Sequence, residues 1–271
     1  LGVYPVSRWL GFNAVESLYL AVGFSTSSTL VVIRHLRLRL RSYEPFGRLV
    51  VGVLLLQDIL MILLVSAISH LDDGAMAMLK EMAIAALLGA LALGTQRRII
   101  PALLRRIRPD EELLLLGMLA VLFGFTGIAD AAGLPAVAGS FFAGLAFSAF
   151  PVNGVVRSVM APLSSFFLAL FFVSLGAVVT LPTGALLAKA LLLSMVILCV
   201  TPPVVAFLSE QFGLNARASI EGGLLLAQTS ELSLVLALGG LFHQHLSEDL
   251  FSVMALVAIL TMSLTPFLAT D

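Results

Sequence analysis

About nine apolar runs, each close to the length of a bilayer crossing, follow one another along this 271-residue chain with only short polar or Gly/Pro breaks between them. They lie near residues 13–33, 47–70, 75–96, 111–131, 135–150, 160–180, 184–208, 216–241 and 248–268. Open strands cannot cross hydrocarbon, where no water pairs their backbone, so the runs read as helices. The chain is 60% hydrophobic and 11% charged, against about 25% charged residues in soluble domains. The fold class is therefore all-α, a polytopic membrane protein. The fifth run is short for a crossing and reads as irregular.

Basic residues orient the loops. One loop carries Arg34, Arg37, Arg39, Arg41 and Arg48, and another carries Arg97, Arg98, Arg105, Arg106 and Arg108. Arg157 and Arg217 fall in the next two loops on the same side. Asp72, Asp73, Asp130, Glu248 and Asp249 fall in the alternate loops, with only Arg8, Lys80 and Lys189 near them. Nine crossings keep this alternation unbroken, which runs the first from outside to inside and leaves the C-terminus cytoplasmic. The segment 97–110 reads as a positive topology anchor. The alternative is a short interfacial helix with Ile99, Ile100, Leu103 and Leu104 against lipid.

Several classes drop out. The basic clusters lack the interleaved aromatic residues of a nucleic-acid surface. The single Cys199 sits in an apolar run and reads as a buried, inert thiol, and four scattered histidines without a Cys/His cluster suggest no structural metal or cofactor. The chain opens on Leu1 and stops at Asp271 beside an apolar run, which reads as a piece of a longer protein.

The second run, 47–70, places Gln57 and Asp58 near mid-depth. An ionised side chain there costs roughly 2.5–3.5 kcal/mol on insertion scales, so such groups are rare and usually functional. A bound cation or proton removes that cost, which makes Asp58 a candidate ion-exchange site. Two other runs carry polar clusters. Ser25-Thr26-Ser27-Ser28-Thr29 follows Gly23, and Gln228-Thr229-Ser230-Glu231 follows Gly222-Gly223. Hydroxyls can pair backbone groups freed where a helix is interrupted, although a Ser/Thr face packed on a neighbour would look similar. Two such segments in corresponding positions point to a transporter binding site.

These residues resemble the membrane domain of the monovalent cation:proton antiporter-2 family, the Kef-type potassium/proton antiporters. Ser27-Ser28-Thr29, Gly47-Arg48, Gln57-Asp58, the Gly-rich segment Gly133–Gly144, Pro162 with Phe171–Gly176, Gln228–Leu232 and Thr265-Pro266 match its motifs in order. The resemblance implies a sodium/proton antiporter-like fold of about thirteen helices. Its first four would be missing here, and two of those present would be discontinuous and crossed. Residues 1–271 would be one membrane transport domain, and any cytoplasmic nucleotide-binding domain would follow Asp271. It implies a homodimer when full-length, in a prokaryotic plasma membrane. The family commonly has a lysine near the position of Thr201, and Gly-Gly where Thr229-Ser230 stand.

Combined, these readings give exchange of a monovalent cation for protons by alternating access at Asp58, with Gln57 supplying a neutral carbonyl ligand. The resemblance associates Gln-Asp with potassium and a paired Asp-Asp with sodium. Ser27, Ser28, Thr29, Gln228, Thr229 and Ser230 would line the crossing. Glu231 would neutralise a half-helix N-terminus or pair with the cation, or else serve a polar group structurally. Glu16, Asp130 and Glu221 read as interfacial, and His70, His243 and His245 as outward loop residues. A ligand-gated cation efflux channel, or a non-transporting sensor or structural subunit, would use the same residues without coupled flux. An intramembrane hydrolase is excluded by the lack of a nucleophile–base pair at depth, so the chain does not read as an enzyme.

Overall fold

The computed structural model describes residues 2–38, 45–69, 75–107, 111–148, 152–178 and 183–268. Arg39, Arg41, His70, Asp72, Asp73 and Arg108 lie outside the described residues, as do the side chains of Arg37, Leu104, Arg105, Arg106 and Arg157. The elements are helices α1 (Val3–Trp9), α2 (Ala14–Gly23), α3 (Thr29–Leu38), α4 (Pro45–Ser69), α5 (Ala75–Gly94), α6 (Ile100–Ile107), α7 (Glu111–Ala131), α8 (Ala136–Ala146), α9 (Val152–Val178), α10 (Gly184–Gln211), α11 (Ala216–Leu225), α12 (Glu231–Phe242) and α13 (Glu248–Leu268). There is no strand among the described residues. The first run is divided into α2 and α3, and the eighth into α11 and α12. The fifth is the short helix α8, as its sequence suggested.

Among the described residues, five helices are long and apolar enough to cross a membrane singly, and four of them bury only 17–28% of that apolar window. Their outward faces, such as Leu55, Leu56 and Leu60 on α4 or Phe123 on α7, are apolar and need cover from water. The protein is a multi-pass membrane protein. The fifth, α13, buries 61% and is the central rod of its unit.

The chain divides into two compact units. One comprises residues 1–61 and 177–271, the other 62–176. In the first unit, α3, α4 and α11 share a core of Val32, Leu36, Phe46, Val50, Leu54, Ala218 and Leu225. Gly223 lets α11 approach α10, since a Cβ there would lie 2.5 Å from the Pro202 carbonyl oxygen. Lys189 on α10 rests its ammonium 4.5 Å from the centroid of the Phe12 ring, a cation–π contact that holds a charge the composition could place only near a span end.

The second unit is built on α5, α7 and α8. Gly139 faces the α7 backbone, and a Cβ there would lie 2.6 Å from the Phe125 carbonyl oxygen. A π-turn, Thr95–Ile99, joins α5 to α6 without a break, so 97–110 does not begin a separate interfacial helix. The wide turn immediately precedes Pro101, whose ring blocks the ordinary i−4 hydrogen bond. It also rotates the helix. Ala85, Leu88, Ala92, Thr95 and Ile100 are all buried, and the five-residue step across the π-turn brings Ile100 onto the core face. Ile100 therefore packs inside rather than against lipid, while Ile99 and Leu103 are exposed.

Gly139→Val will force α7 and α8 apart and lower the stability of the second unit by about 1–3 kcal/mol. Thermal unfolding in detergent will show this as a reduced midpoint, and an unchanged midpoint would contradict the close approach.

Candidate functional site

The two interrupted helices are copies of one local design. Gly11-Phe12-Asn13-Ala14 leads into α2, and Gly213-Leu214-Asn215-Ala216 leads into α11. Gly11 and Gly213 take φ of 89° and 86°, the left-handed conformation that ends a preceding helix and suits glycine. Asn13 and Asn215 then cap the new helix, accepting from the Glu16 and Ala218 amides at 2.8 Å each. Glu16 closes a capping box on Asn13, so this carboxylate at a span end serves the helix start. Each half-helix runs ten residues, and each is followed by a five-residue interruption, 24–28 and 226–230. Ser28 Oγ then accepts from the Val31 amide in α3, and Ser230 Oγ from the Leu232 amide in α12.

The interruptions lie against each other in the first unit. Gly23, at the end of α2, lies beside Ser233 and Leu236 of α12. The Ser27 hydroxyl donates to the Leu226 carbonyl at 2.8 Å. The Ser28 hydroxyl donates to Glu231 Oε1 at 2.7 Å. One residue further on, the Thr29 hydroxyl donates to Asp58 Oδ2 at 3.0 Å. Two carboxylates from distant parts of the chain are thus held by adjacent hydroxyls at the start of α3. Both half-helices that begin here have a carboxylate at their positive end, Asp58 beside Thr29 and Glu231 in the first turn of α12.

The carbonyl ends of α2 and α11 are served by neutral donors. Gln57 donates its Nε2 to the Ser25 carbonyl at 3.2 Å, and Thr26 its hydroxyl to the Gly23 carbonyl. Gln228 donates its Nε2 to the Leu225 carbonyl, and Thr265 its hydroxyl to Ala227. Thr201, the position where the resembling family has a lysine, is half-buried on α10. Among the described residues it makes no hydrogen bond to Asp58 or Glu231. The amide oxygens of both Gln57 and Gln228 are buried without a hydrogen-bond partner among the described residues. A buried acceptor left this way costs about 1–3 kcal/mol, so each oxygen calls for a reason.

Thr261 and Thr265 were not singled out as site residues by their sequence alone. Both are fully buried on α13. Thr261 Oγ1 accepts from the Thr229 amide at 3.2 Å and lies 3.3 Å from the Thr229 hydroxyl. The usable signal was two hydroxyls four residues apart on an apolar helix, one helical turn of spacing that serves one neighbour. Thr229 itself, where the resembling family has glycine, is held through this pair.

Other predicted positions are placed differently. Glu221 lies in the second turn of α11 and is buried. The interfacial reading counted its distance from the end of the apolar run, whereas α11 is a short half-helix packed on its neighbours. Asp130 is exposed in the last turn of α7, as expected, whereas Cys199, expected to be buried, is exposed on α10, a helix that buries little of its apolar surface. His243 is exposed and stacks on His245, whose Nδ1 lies 2.9 Å from the Tyr19 hydroxyl. His245 thereby ties the end of α12 to α2.

Thr261→Val will leave the Thr229 amide without its acceptor and cost about 1–3 kcal/mol. Hydrogen exchange across residues 226–230 will speed up in this variant, and Thr261→Ser will restore wild-type protection.

Comparison with known proteins adds the family. The model for the sodium/hydrogen exchanger transmembrane domain matches residues 1–270. K(+) efflux antiporter 4 of Arabidopsis thaliana is 31% identical over 275 residues, covering 95% of this chain and 45% of that protein. The chloroplastic K(+) efflux antiporter 2 of the same plant is 29% identical over 264 residues, covering 91% of this chain and 22% of its own length. The Na(+)/H(+)-K(+) antiporter GerN of Bacillus cereus is 24% identical over 274 residues, covering 98% of this chain and 70% of its own. The chain thus spans under half of the two plant relatives. With a match over essentially its whole length, two interrupted helices and an intramembrane carboxylate between them, this chain belongs to the sodium/hydrogen exchanger family of monovalent cation:proton antiporters.

Proposed function

We propose that the protein of which this chain forms the membrane transport domain exchanges a monovalent cation for protons at Asp58. The observation that carries this reading is the placement of that carboxylate. It is half-buried in an apolar helix, bonded to the first residue of α3, and preceded in sequence by Gln57, whose amide oxygen is buried and unpaired among the described residues. A carboxylate in such surroundings is stabilised either by a proton or by a cation that has shed its water, and not by both together. Binding of one therefore expels the other. Alternating exposure of Asp58 to the two sides of the membrane turns that competition into antiport.

Gln57 supplies the second ligand, and its neutral oxygen favours potassium over sodium in this reading. A weakly charged site asks less of a large, easily dehydrated cation than two adjacent carboxylates would. Several relatives are named as K(+) efflux antiporters, and GerN is named as a Na(+)/H(+)-K(+) antiporter, which supports exchange and leaves the preference to experiment. Glu231 holds the N-terminus of α12 and, through Ser28, the register of α3 beside Asp58. The full-length protein is placed in this proposal as a homodimer in a prokaryotic plasma membrane, with the end of α13 on the cytoplasmic side.

Proton flux driven by a cation gradient, measured in vesicles of the full-length protein, tests the proposal. Asp58→Asn will abolish the cation-dependent flux, and unchanged flux would sink the mechanism. Current without coupled proton movement would instead favour a channel. Gln57→Asp, which places two carboxylates side by side, will shift the preference from K+ toward Na+. An unaltered cation preference would remove Gln57 from the ligand set.

A further inference from the structure

The two interruptions are equivalent position by position, and the equivalence isolates one atom. Thr26 lies in the first interruption where Gln228 lies in the second, three residues after the end of the preceding half-helix in each case. Both make the same bond. The Thr26 hydroxyl donates to the carbonyl three residues back, Gly23, and the Gln228 amide donates to the carbonyl three residues back, Leu225, each at 3.2 Å. A hydroxyl suffices for that task. Glutamine performs it with its nitrogen and brings an additional carbonyl oxygen. That oxygen is buried without a hydrogen-bond partner among the described residues, on a side chain only 1% exposed.

Its surroundings select the ligand. The C-terminal end of α11 carries partial negative charge, and Gln228 Oε1 only accepts. The nearby donors are already used: the Ser27 hydroxyl on Leu226, the Thr265 hydroxyl on Ala227, and the Thr229 amide on Thr261. None of these three donors is free to meet an anion. A small cation meets an amide oxygen at the negative end of a helix. Gln57 repeats the arrangement at the other interruption, with its amide nitrogen on the Ser25 carbonyl and its oxygen unpaired.

We infer that Gln228 is a second carbonyl ligand for the transported monovalent cation, forming a binding station at the end of α11 in addition to Asp58 and Gln57. The inference rests on the exchange reading above. The nitrogen of Gln228 holds the interruption, and its oxygen receives the ion.

The test separates these two tasks with Gln228→Thr, which keeps the bond that Thr26 makes and deletes the carbonyl. In vesicles of the full-length protein with K+ as the probe, this variant will raise the KM for K+ about tenfold. A KM indistinguishable from wild type in a folded Gln228→Thr protein overturns the assignment. If Gln228→Thr does not fold, infrared difference spectra of the wild-type protein with and without K+ decide. A side-chain carboxamide shift with the intensity of two glutamines supports the station, and that of one overturns it. Asp58→Asn, run in parallel, separates the two failures. If Asp58→Asn still exchanges, the functional reading itself falls. If it is inactive while Gln228→Thr behaves as wild type, only the second station falls.

Discussion

Backbone polarity in hydrocarbon is the constraint on which this structure depends. A continuous helix pairs its own amides and carbonyls, but an interrupted one exposes groups that lipid cannot satisfy. The protein interrupts two helices and places the interruptions against each other. Ser27 reaches from one to the Leu226 carbonyl of the other, and α13 reaches the second with Thr261 and Thr265. This explains why α13 is the most buried of the long helices. Its hydroxyls have to sit beside the interruption, and the surrounding half-helices then cover it.

The same arrangement creates the chemistry. Half-helix N-termini carry partial positive charge, and both that begin at the crossing have a carboxylate, Asp58 or Glu231. Their hydroxyl partners, Thr29 and Ser28, are neighbours in sequence, so a change at one carboxylate is felt on the same short piece of backbone as the other. The carbonyl ends are held by hydroxyls and amides.

Much of this was legible in the residues. Hydroxyl clusters after glycine located both interruptions, because such residues are out of place in lipid unless backbone needs them. The short fifth run became α8, and the isolated carboxylate of Asp58 stood out by its cost alone. Other features were hidden for definite reasons. The role of Thr261 depends on which helix lies four residues deep against it, and an apolar run looks the same whichever neighbour it meets. The inward turn of Ile100 depends on a π-turn, which shifts the helical face by one residue beyond where ordinary periodicity puts it. Glu221 was misjudged because distance from a run's end does not report packing on a half-helix.

The amino-acid sequence by itself determined the class, the sites of helix interruption and the carboxylate that lies beside them. Each follows from local cost, namely the transfer of side chains and unpaired backbone into hydrocarbon. Only the tertiary structure decided which groups meet: Thr29 with Asp58, Ser28 with Glu231, Thr261 with the Thr229 amide. It also shows the Gln228 nitrogen bonded to Leu225 and its oxygen buried without a hydrogen-bond partner among the described residues. Hydrogen bonds form between residues up to 226 positions apart, and local cost carries no information about partners at that distance. Packing of the half-helices supplies it.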